Sequence, residues 1–242
     1  TARVFNTLFS CFGQGFFAYL AIFVGINSAK EFNVSTIVGG VMIDQIQFNE
    51  KTLWEGTPTN GSSVAQGYYQ NFGSVLVKNM SDAFTKSNGT KPVSDYTRFL
   101  DIMNGVAGVD FSSSTGTDYS RRYFTSLTDK VLVAQYEVEG SDKLDLLFSY
   151  APDALINASE VTYNDHDATF NGQLMTVKYD TRFRIIANND ATVAATANGI
   201  HVSNATSVTL LMGAATDFKL SESSVVSGET AEQLADRVKG WV

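Results

Sequence analysis

From Ser35 onward the chain is a succession of short apolar or alternating runs, and this rhythm constrains its fold more than any other feature. The runs recur every 10 to 14 residues or so, with turn residues between them, which is typical of a sandwich and not of alternating strands and helices. The clearest are Val75–Val77, Val106–Phe111, Tyr119–Phe124 and Val131–Val138. The sequence therefore predicts an all-β fold, a large antiparallel two-sheet sandwich (a supersandwich) of at least ten strands.

Three turn signals indicate which runs are neighbours. Glu139–Asp142 is predicted to join its preceding strand to the next one, and Asn198–Gly199 to form a tight turn. Asn171–Gly172 is a strong two-residue hairpin signal, so it is predicted to join Ala168–Phe170 to Leu174–Tyr179.

The charge of the chain excludes one class of partner. Its 242 residues carry a net charge of −8, and only 17% of them are charged. No stripe of Lys and Arg is present to displace phosphate counterions, so we expect no nucleic acid as a partner. Arg121–Arg122, the longest basic cluster, is interpreted as polar positions of an alternating or edge strand. A single cysteine, Cys11, leaves the body of the chain without a disulfide, which fits a bacterial protein of any compartment.

The N-terminal segment departs from the strand pattern. Its most apolar part, Phe16–Ile26, has eleven residues, whereas a membrane span needs about 20. Residues 1–30 are interpreted as an export signal or as a mistranslated stretch of a fragmentary gene, the second being slightly favoured. We expect this segment to be dispensable to the fold, with no stable membrane span. The expected location is extracellular or at a bacterial cell surface, with the cytoplasm as the alternative.

The stretch Ile46–Pro58 carries the most specific signal for function. It reads I-Q-F-N-E-K-T-L-W-E-G-T-P and places Asn, Glu, Trp and Gly, which suit contact with a sugar, at the end of a strand pattern. The string resembles the Q-L-N-E-x-[ST]-L-W-x-G signature of the family 95 glycoside hydrolases, the α-L-fucosidases and α-L-galactosidases. In that family the signature also follows a G-G-V strand, like Val38–Val41 here.

Four further motifs of that family follow in the same order. They are similar to Y-Q-P-L-G-D-L-x-[IL] at Tyr69–Val77, where Asn71 and Ser74 replace Pro and Asp, to Y-x-R-x-L-D-L at Tyr96–Ile102, to Y-x-R-E-x-F-x-S at Tyr119–Ser126, and to A-A-T-x-[FY] at Ala214–Phe218. Five ordered matches are far more specific than any one alone. The resemblance covers the N-terminal β-domain of the family and none of the helical barrel that follows it.

The resemblance implies a division of labour. The complete protein is expected to hydrolyse terminal α-linked L-fucose from glycans with inversion and without a cofactor. Glycoside hydrolysis ordinarily uses two carboxyl groups at a defined separation, and the family carries these in an (α/α)6 barrel of the same polypeptide. We therefore expect no catalytic residue and no metal site in this chain, and no activity from the chain alone.

The last segment, residues 227–242, is predicted to form a helix. Thr230 and Gln233 are spaced as a capping box. The apolar face consists of Ala231, Leu234, Ala235, Val238 and Trp241. This face either packs back on the sandwich, predicted to span residues 31–226, or belongs to a linker helix that leads to the catalytic domain.

Asn49, Glu50, Trp54 and Gly56 are the candidate substrate-binding residues. An indole face can stack on the C–H surface of a sugar ring, and Asn and Glu side chains can hydrogen-bond to hydroxyls. In the favoured alternative, Trp54 packs at an interdomain interface or at the sandwich end, and Asn49 fixes a turn.

The remaining acidic residues of interest are expected to be exposed on strands or turns. They are Glu55, Asp95, Asp101, Asp165, Asp167 and Asp217. Asp165, His166 and Asp167 together invite a metal-site interpretation, but a turn between strands is favoured because Asp is common in turns.

A second hypothesis comes from a different functional class. The chain is then a stand-alone carbohydrate-binding or surface adhesion module that presents Tyr68, Tyr69 and Trp54 to a glycan. The gene beyond Val242 discriminates between the two hypotheses, because only the enzyme requires a long helical region there.

Overall fold

The computed structural model describes residues 32–39, 41–50, 52–55, 68–81, 84, 93–152, 161–219 and 224–242. These residues form sixteen strands and a C-terminal helix. The segment 1–30 lies outside them, so its interpretation stays a prediction. Among the described residues, no helix has the length and apolar character needed to cross a membrane.

The strands make two large antiparallel sheets and a short ribbon. Their bounds are β1 (Phe32–Gly39), β2 (Ile43–Glu50), β3 (Trp54–Glu55), β4 (Tyr68–Tyr69), β5 (Gly73–Asn79), β6 (Val93–Asp101), β7 (Val106–Ser113), β8 (Asp118–Ser126), β9 (Val131–Glu139), β10 (Leu144–Pro152), β11 (Thr162–Asn164), β12 (Asp167–Gln173), β13 (Lys178–Ala187), β14 (Thr192–Thr196), β15 (Gly199–Ala205) and β16 (Ser207–Thr216). The six-stranded sheet has the order β1-β2-β5-β10-β15-β14, and the eight-stranded sheet has the order β11-β12-β13-β16-β9-β8-β7-β6. The ribbon is β3-β4.

Alternation of side chains explains why the two sheets face each other. Along β10, Leu144, Leu146, Phe148 and Tyr150 are buried and the residues between them are half exposed. Successive side chains of a strand point to opposite faces, so each strand contributes one row to the core. Tyr136 of the eight-stranded sheet meets Phe148 edge to face, with ring centroids 5.8 Å apart. The predicted all-β two-sheet sandwich is confirmed.

The sandwich has two ends, which contain different turns. We call one the motif end, where β2 and β16 finish and where β5 and β13 begin, since Phe48 pairs with Gly73 and Thr216 with Tyr179. The β6–β7, β8–β9 and β12–β13 turns lie at this end of the eight-stranded sheet. The opposite end, called the far end, contains the β7–β8, β9–β10, β11–β12, β13–β14 and β15–β16 turns.

The helix α1 (Ala231–Lys239) packs on the outer face of the eight-stranded sheet, against β13 and β16. The predicted capping box is present, because Gln233 N donates to Thr230 Oγ1 and Thr230 N donates to Gln233 Oε1. Leu234 and Val238 are fully buried against Ala215, with Trp241 beside them. The first of the two alternatives for this helix, packing back on the sandwich, is therefore observed.

The β12–β13 hairpin turns later than the sequence predicts. Asn171 and Gly172 lie within β12, where Asn171 pairs with Asp180. The actual turn is closed by a 2.9 Å hydrogen bond from Leu174 N to Val177 O, and both side chains are buried. The Asn171–Gly172 prediction is wrong because burial of two apolar side chains outweighs a local turn preference.

Candidate substrate-binding end of the sandwich

The first two motifs of the sequence form one structure at the motif end. After β2, the chain places Leu53 so that its carbonyl oxygen accepts a 2.9 Å hydrogen bond from Gln70 N. The strands β3 and β4 then pair antiparallel, with Trp54 opposite Tyr69. Residues Leu53–Glu55 of the first motif are therefore held against the segment at Tyr68–Gln70 by backbone hydrogen bonds.

The last motif joins the first across the two sheets. The hydroxyl groups of Thr52 and Thr216 share a buried hydrogen bond. Thr216 Oγ1 also accepts a 3.2 Å hydrogen bond from Phe218 N. Next to it, the fully buried Asp217 accepts hydrogen bonds from Lys178 N at 2.8 Å and from Lys178 Nζ at 3.2 Å. The first and second motifs thus meet the last one, which is distant from both in sequence, at one end of the sandwich.

Aromatic side chains pack beneath this junction. Phe48 and Phe72 stack with their ring centroids 5.6 Å apart, and Tyr179 meets Phe72 edge to face at 5.8 Å. The hydroxyl of Tyr150 donates to the carbonyl oxygen of Phe72. All four rings are buried, so the motif segments lie on a packed aromatic layer.

Several buried polar atoms at this end have no hydrogen-bond partner among the described residues. They are Oδ1 of Asn49, Oδ1 of Asn71 and the hydroxyl of Tyr179. Burial raises the pKa of Tyr179 to about 12, so its hydroxyl remains protonated at neutral pH and is able to donate. Buried polar groups are nearly always paired in folded proteins, so we expect their partners outside the described part of the chain.

Comparison with known families agrees with this architecture. Residues 59–221 match the family model described as glycosyl hydrolase family 65, N-terminal domain. The chain belongs to this family. No curated protein matches the chain. The match is to family 65 and not to family 95, so the coarser part of the resemblance, a glycoside hydrolase N-terminal domain, is what the comparison supports.

Membership carries two consequences for this N-terminal domain. A domain of this kind works beside a catalytic domain, and the complete protein acts on a glycan. The identity of the sugar is not part of the family description, so it remains a proposal.

The structure places three of the four candidate residues at the motif end. Asn49 and Glu50 are the last residues of β2, and Trp54 is the first residue of β3. Gly56 lies outside the described residues. Their assignment to a sugar pocket stays a prediction.

The other acidic candidates are dispersed over the N-terminal domain. Asp95 and Asp101 lie on β6 and Asp165 lies in the β11–β12 turn, as the turn interpretation requires. Asp167 forms an ion pair with Arg184, with Oδ1 2.6 Å from Nε. Glu55 is on β3. The expectation that Asp217 is an exposed strand or turn acid is wrong, because its carboxylate is buried on Lys178.

Sequence reasoning missed a buried group of polar residues, centred on Asp44, between the two sheets. Asp44 Oδ2 accepts hydrogen bonds from the hydroxyls of Tyr123 and Tyr136, and Arg121 Nη1 lies 3.9 Å away. Burial raises the pKa of Asp44, while Arg121 and the two tyrosines act in the opposite direction. A signal was present, because Asp44 precedes Ile46 and Phe48 at intervals of two and so shares their inward face. The polar-strand interpretation of Arg121 is corrected likewise, since this side chain is buried.

Proposed function

We propose that the chain is the non-catalytic N-terminal sandwich of a glycoside hydrolase that releases terminal α-L-fucose from glycans with inversion. In this proposal Asn49, Glu50, Trp54 and Gly56 border the sugar pocket of a catalytic domain in the same polypeptide, and Trp54 acts mainly as a packing anchor. The observation that carries the proposal is the meeting of three motifs at one end of the sandwich.

Two carboxylates near the motif end are committed to structural pairs. Hydrolysis with inversion needs one carboxyl group as an acid and a second as a base, about 6.5–9.5 Å apart with room for a water. Asp217 is buried and bound to Lys178, and Glu229 is held by Arg237 with Nη2 2.9 Å from Oε2. Neither is available for proton transfer to a glycan, which supports placing the chemistry in another domain.

The fucose assignment is supported by the ordered motifs and not by the fold. The departures from the motif are compatible with it, because Ser74 is buried and accepts a 2.9 Å hydrogen bond from Gln45 Nε2 instead of projecting into a pocket. At Asn71, the other departure, the buried Oδ1 has no hydrogen-bond partner among the described residues.

The decisive experiment compares the isolated chain with the complete polypeptide on a panel of 4-nitrophenyl glycosides, namely α-L-fucoside, α-L-galactoside and α-D-glucoside. We expect hydrolysis of the fucoside by the complete polypeptide and none by the isolated chain. Turnover by the isolated chain that is lost on mutating one of its acids would move the active site into the sandwich. Hydrolysis of another glycoside alone would show that fucose is the wrong sugar.

The assignment of these residues to the sugar pocket is tested by the variants Asn49→Ala and Trp54→Ala of the complete polypeptide. The control is Asn189→Ala, which lies in an exposed turn at the far end. We expect Asn49→Ala to raise KM with little change in the unfolding temperature, since it removes a polar contact to sugar. Trp54→Ala is expected to lower the unfolding temperature more than it changes KM. An Asn49 variant with the KM of the control contradicts the pocket assignment.

A further inference from the structure

The turns of the eight-stranded sheet differ in chemistry between its two ends. At the far end they are polar, with the sequences S-T-G-T at 114–117, G-S-D at 140–142, D-H at 165–166 and N-N-D at 188–190. At the motif end each turn carries an exposed large apolar side chain. These residues, which we call the apolar row, are Ile102 and Met103 in the β6–β7 turn, Leu127 in the β8–β9 turn and Met175 in the β12–β13 turn.

The exposure of the apolar row is unusual. Met103 is 93% exposed, and Ile102, Leu127 and Met175 are 63%, 59% and 64% exposed. Single exposed apolar residues are normal on a protein surface, but turns prefer Gly, Asn, Asp and Ser. Every described turn of this sheet at the motif end carries a large exposed apolar side chain and no described turn at its far end does, which indicates a surface with a partner.

The turns do not need these apolar side chains for their own structure. Asp101 Oδ1 accepts hydrogen bonds from Met103 N and Asn104 N at 3.0 and 3.1 Å. In the next turn Asp129 N donates to Ser126 Oγ at 3.2 Å. Polar residues therefore fix the backbone and hold the apolar side chains outward.

The row has the dimensions of an interface between domains. Neighbouring strands of a sheet are about 4.8 Å apart. The β12–β13 turn lies three strand spacings from the β8–β9 turn, which lies two spacings from the β6–β7 turn. The apolar row is therefore about 24 Å long. Asp101, Asp129 and Lys130 lie beside it. An apolar centre with a polar rim is the usual composition of a protein interface.

We propose that the apolar row docks against the catalytic domain of the same polypeptide. This inference rests on the proposed function to the extent that it takes a catalytic domain as the partner. The row lies at the same end of the sandwich as the junction of the first, second and fifth motifs. A catalytic domain is the partner that membership of the family implies, and its docking at this end would shield the apolar row from water.

The test uses the triple variant Met103→Ser, Leu127→Ser and Met175→Ser in the complete polypeptide. A matched control removes three exposed apolar residues elsewhere, Ile43→Ser, Met80→Ser and Ile186→Ser. Hydrogen exchange is measured for the amides of the three motif-end turns, without any glycan. We expect these amides to exchange about tenfold or more slowly in the complete polypeptide than in the isolated chain. This protection should disappear in the triple variant and persist in the control.

Three outcomes overturn the proposal. Equal exchange in the complete polypeptide and the isolated chain means that nothing covers the row. Protection that survives the triple substitution means that another surface carries the docking. Sedimentation of the isolated chain as a dimer that the triple variant abolishes makes a second copy the partner. The docking measurement is independent of the glycoside panel, so a failure of the fucose assignment leaves it unaffected, and the reverse also holds.

Discussion

Replacement of Asp44 by Ala should destabilise the sandwich more than most single substitutions. Asp44 lies on the inner face of β2, and its partners Tyr123, Tyr136 and Arg121 belong to β8 and β9 of the opposite sheet. Removal of the carboxylate leaves a guanidinium that is only 5% exposed without its counter-ion, and it leaves two buried hydroxyls without their acceptor. The change therefore acts on the contact between the sheets and not on one strand.

The magnitude follows from these losses. Breaking a buried ion pair costs about 3–5 kcal/mol, and a buried hydrogen bond contributes about 1 kcal/mol. Asp44 Oδ1 has no partner among the described residues, so its removal relieves some desolvation and offsets part of the loss. We expect a net loss of about 3–5 kcal/mol, which lowers the unfolding midpoint by about 6–20 °C for a chain of this size.

The assay is urea unfolding of the wild type, Asp44→Ala, Arg121→Met and the double variant, with Tyr123→Phe as a smaller perturbation of about 1 kcal/mol. The double variant should lose at least about 1 kcal/mol less than the sum of the single variants, because each single variant leaves one charge buried alone. A loss below about 1 kcal/mol for Asp44→Ala, or strict additivity, would refute the reasoning.

The pH dependence has a definite sign. Burial raises the pKa of Asp44 in the folded state, so the extra stability that comes from keeping its proton is full below the unfolded pKa and is lost as pH rises through the folded pKa, above which the pair with Arg121 remains. The free energy of unfolding of the wild type minus that of Asp44→Asn should therefore fall as pH rises through this interval. If this free-energy difference rises with pH over the same interval, the pKa of Asp44 is not raised in the folded state.

Three further predictions concern other parts of the sandwich. Gly199→Ala should cost about 2–3 kcal/mol in chemical unfolding, because φ is 148° and a Cβ would collide with the carbonyl oxygen of Phe148. Leu234→Ala should cost about 2–4 kcal/mol and make α1 susceptible to limited proteolysis, because this side chain is fully buried against the sheet. The pKa of Asp142 is lowered, because burial, which raises it, is outweighed by hydrogen bonds from nearby hydroxyls. Asp142→Asn should therefore lower the free energy of unfolding at pH 7, and this loss should vanish as pH falls through the folded pKa. Unfolding monitored by circular dichroism at several pH values measures it.

The fold was predictable because its determinant is local. A strand is recognised from the pattern of adjacent residues. The run Val131–Val138 predicted a strand, and β9 spans Val131–Glu139. The Asn171–Gly172 turn prediction failed because the competing effect, burial of Leu174 and Val177, depends on the packing of the whole sandwich and not on adjacent residues. Local turn preference is the weaker effect wherever a register shift buries apolar surface.

The site was predictable only in part, for the same reason. The order of the motifs was visible in the sequence, but their positions were not. The first, second and fifth motifs meet at the motif end, while the third lies on β6 except for Ile102 in the following turn, and the fourth lies on β8. Arg121, in the fourth motif, serves the core through Asp44. A motif shared with an enzyme family can therefore hold the sheets together and contribute nothing to a pocket.

The two ends of the sandwich satisfy their polar groups in different ways, and this difference separates stability from function. At the far end, Asp142 Oδ2 accepts hydrogen bonds from Ser113 Oγ at 2.9 Å, Thr115 Oγ1 at 2.6 Å and Tyr119 OH at 3.3 Å, all within the chain. At the motif end, among the described residues, Asn49 and Tyr179 keep buried polar atoms without such partners, beside turns with exposed apolar side chains. Substitutions at the far end should therefore change the stability of the isolated chain, whereas those at the motif end should be felt chiefly when a catalytic domain is present.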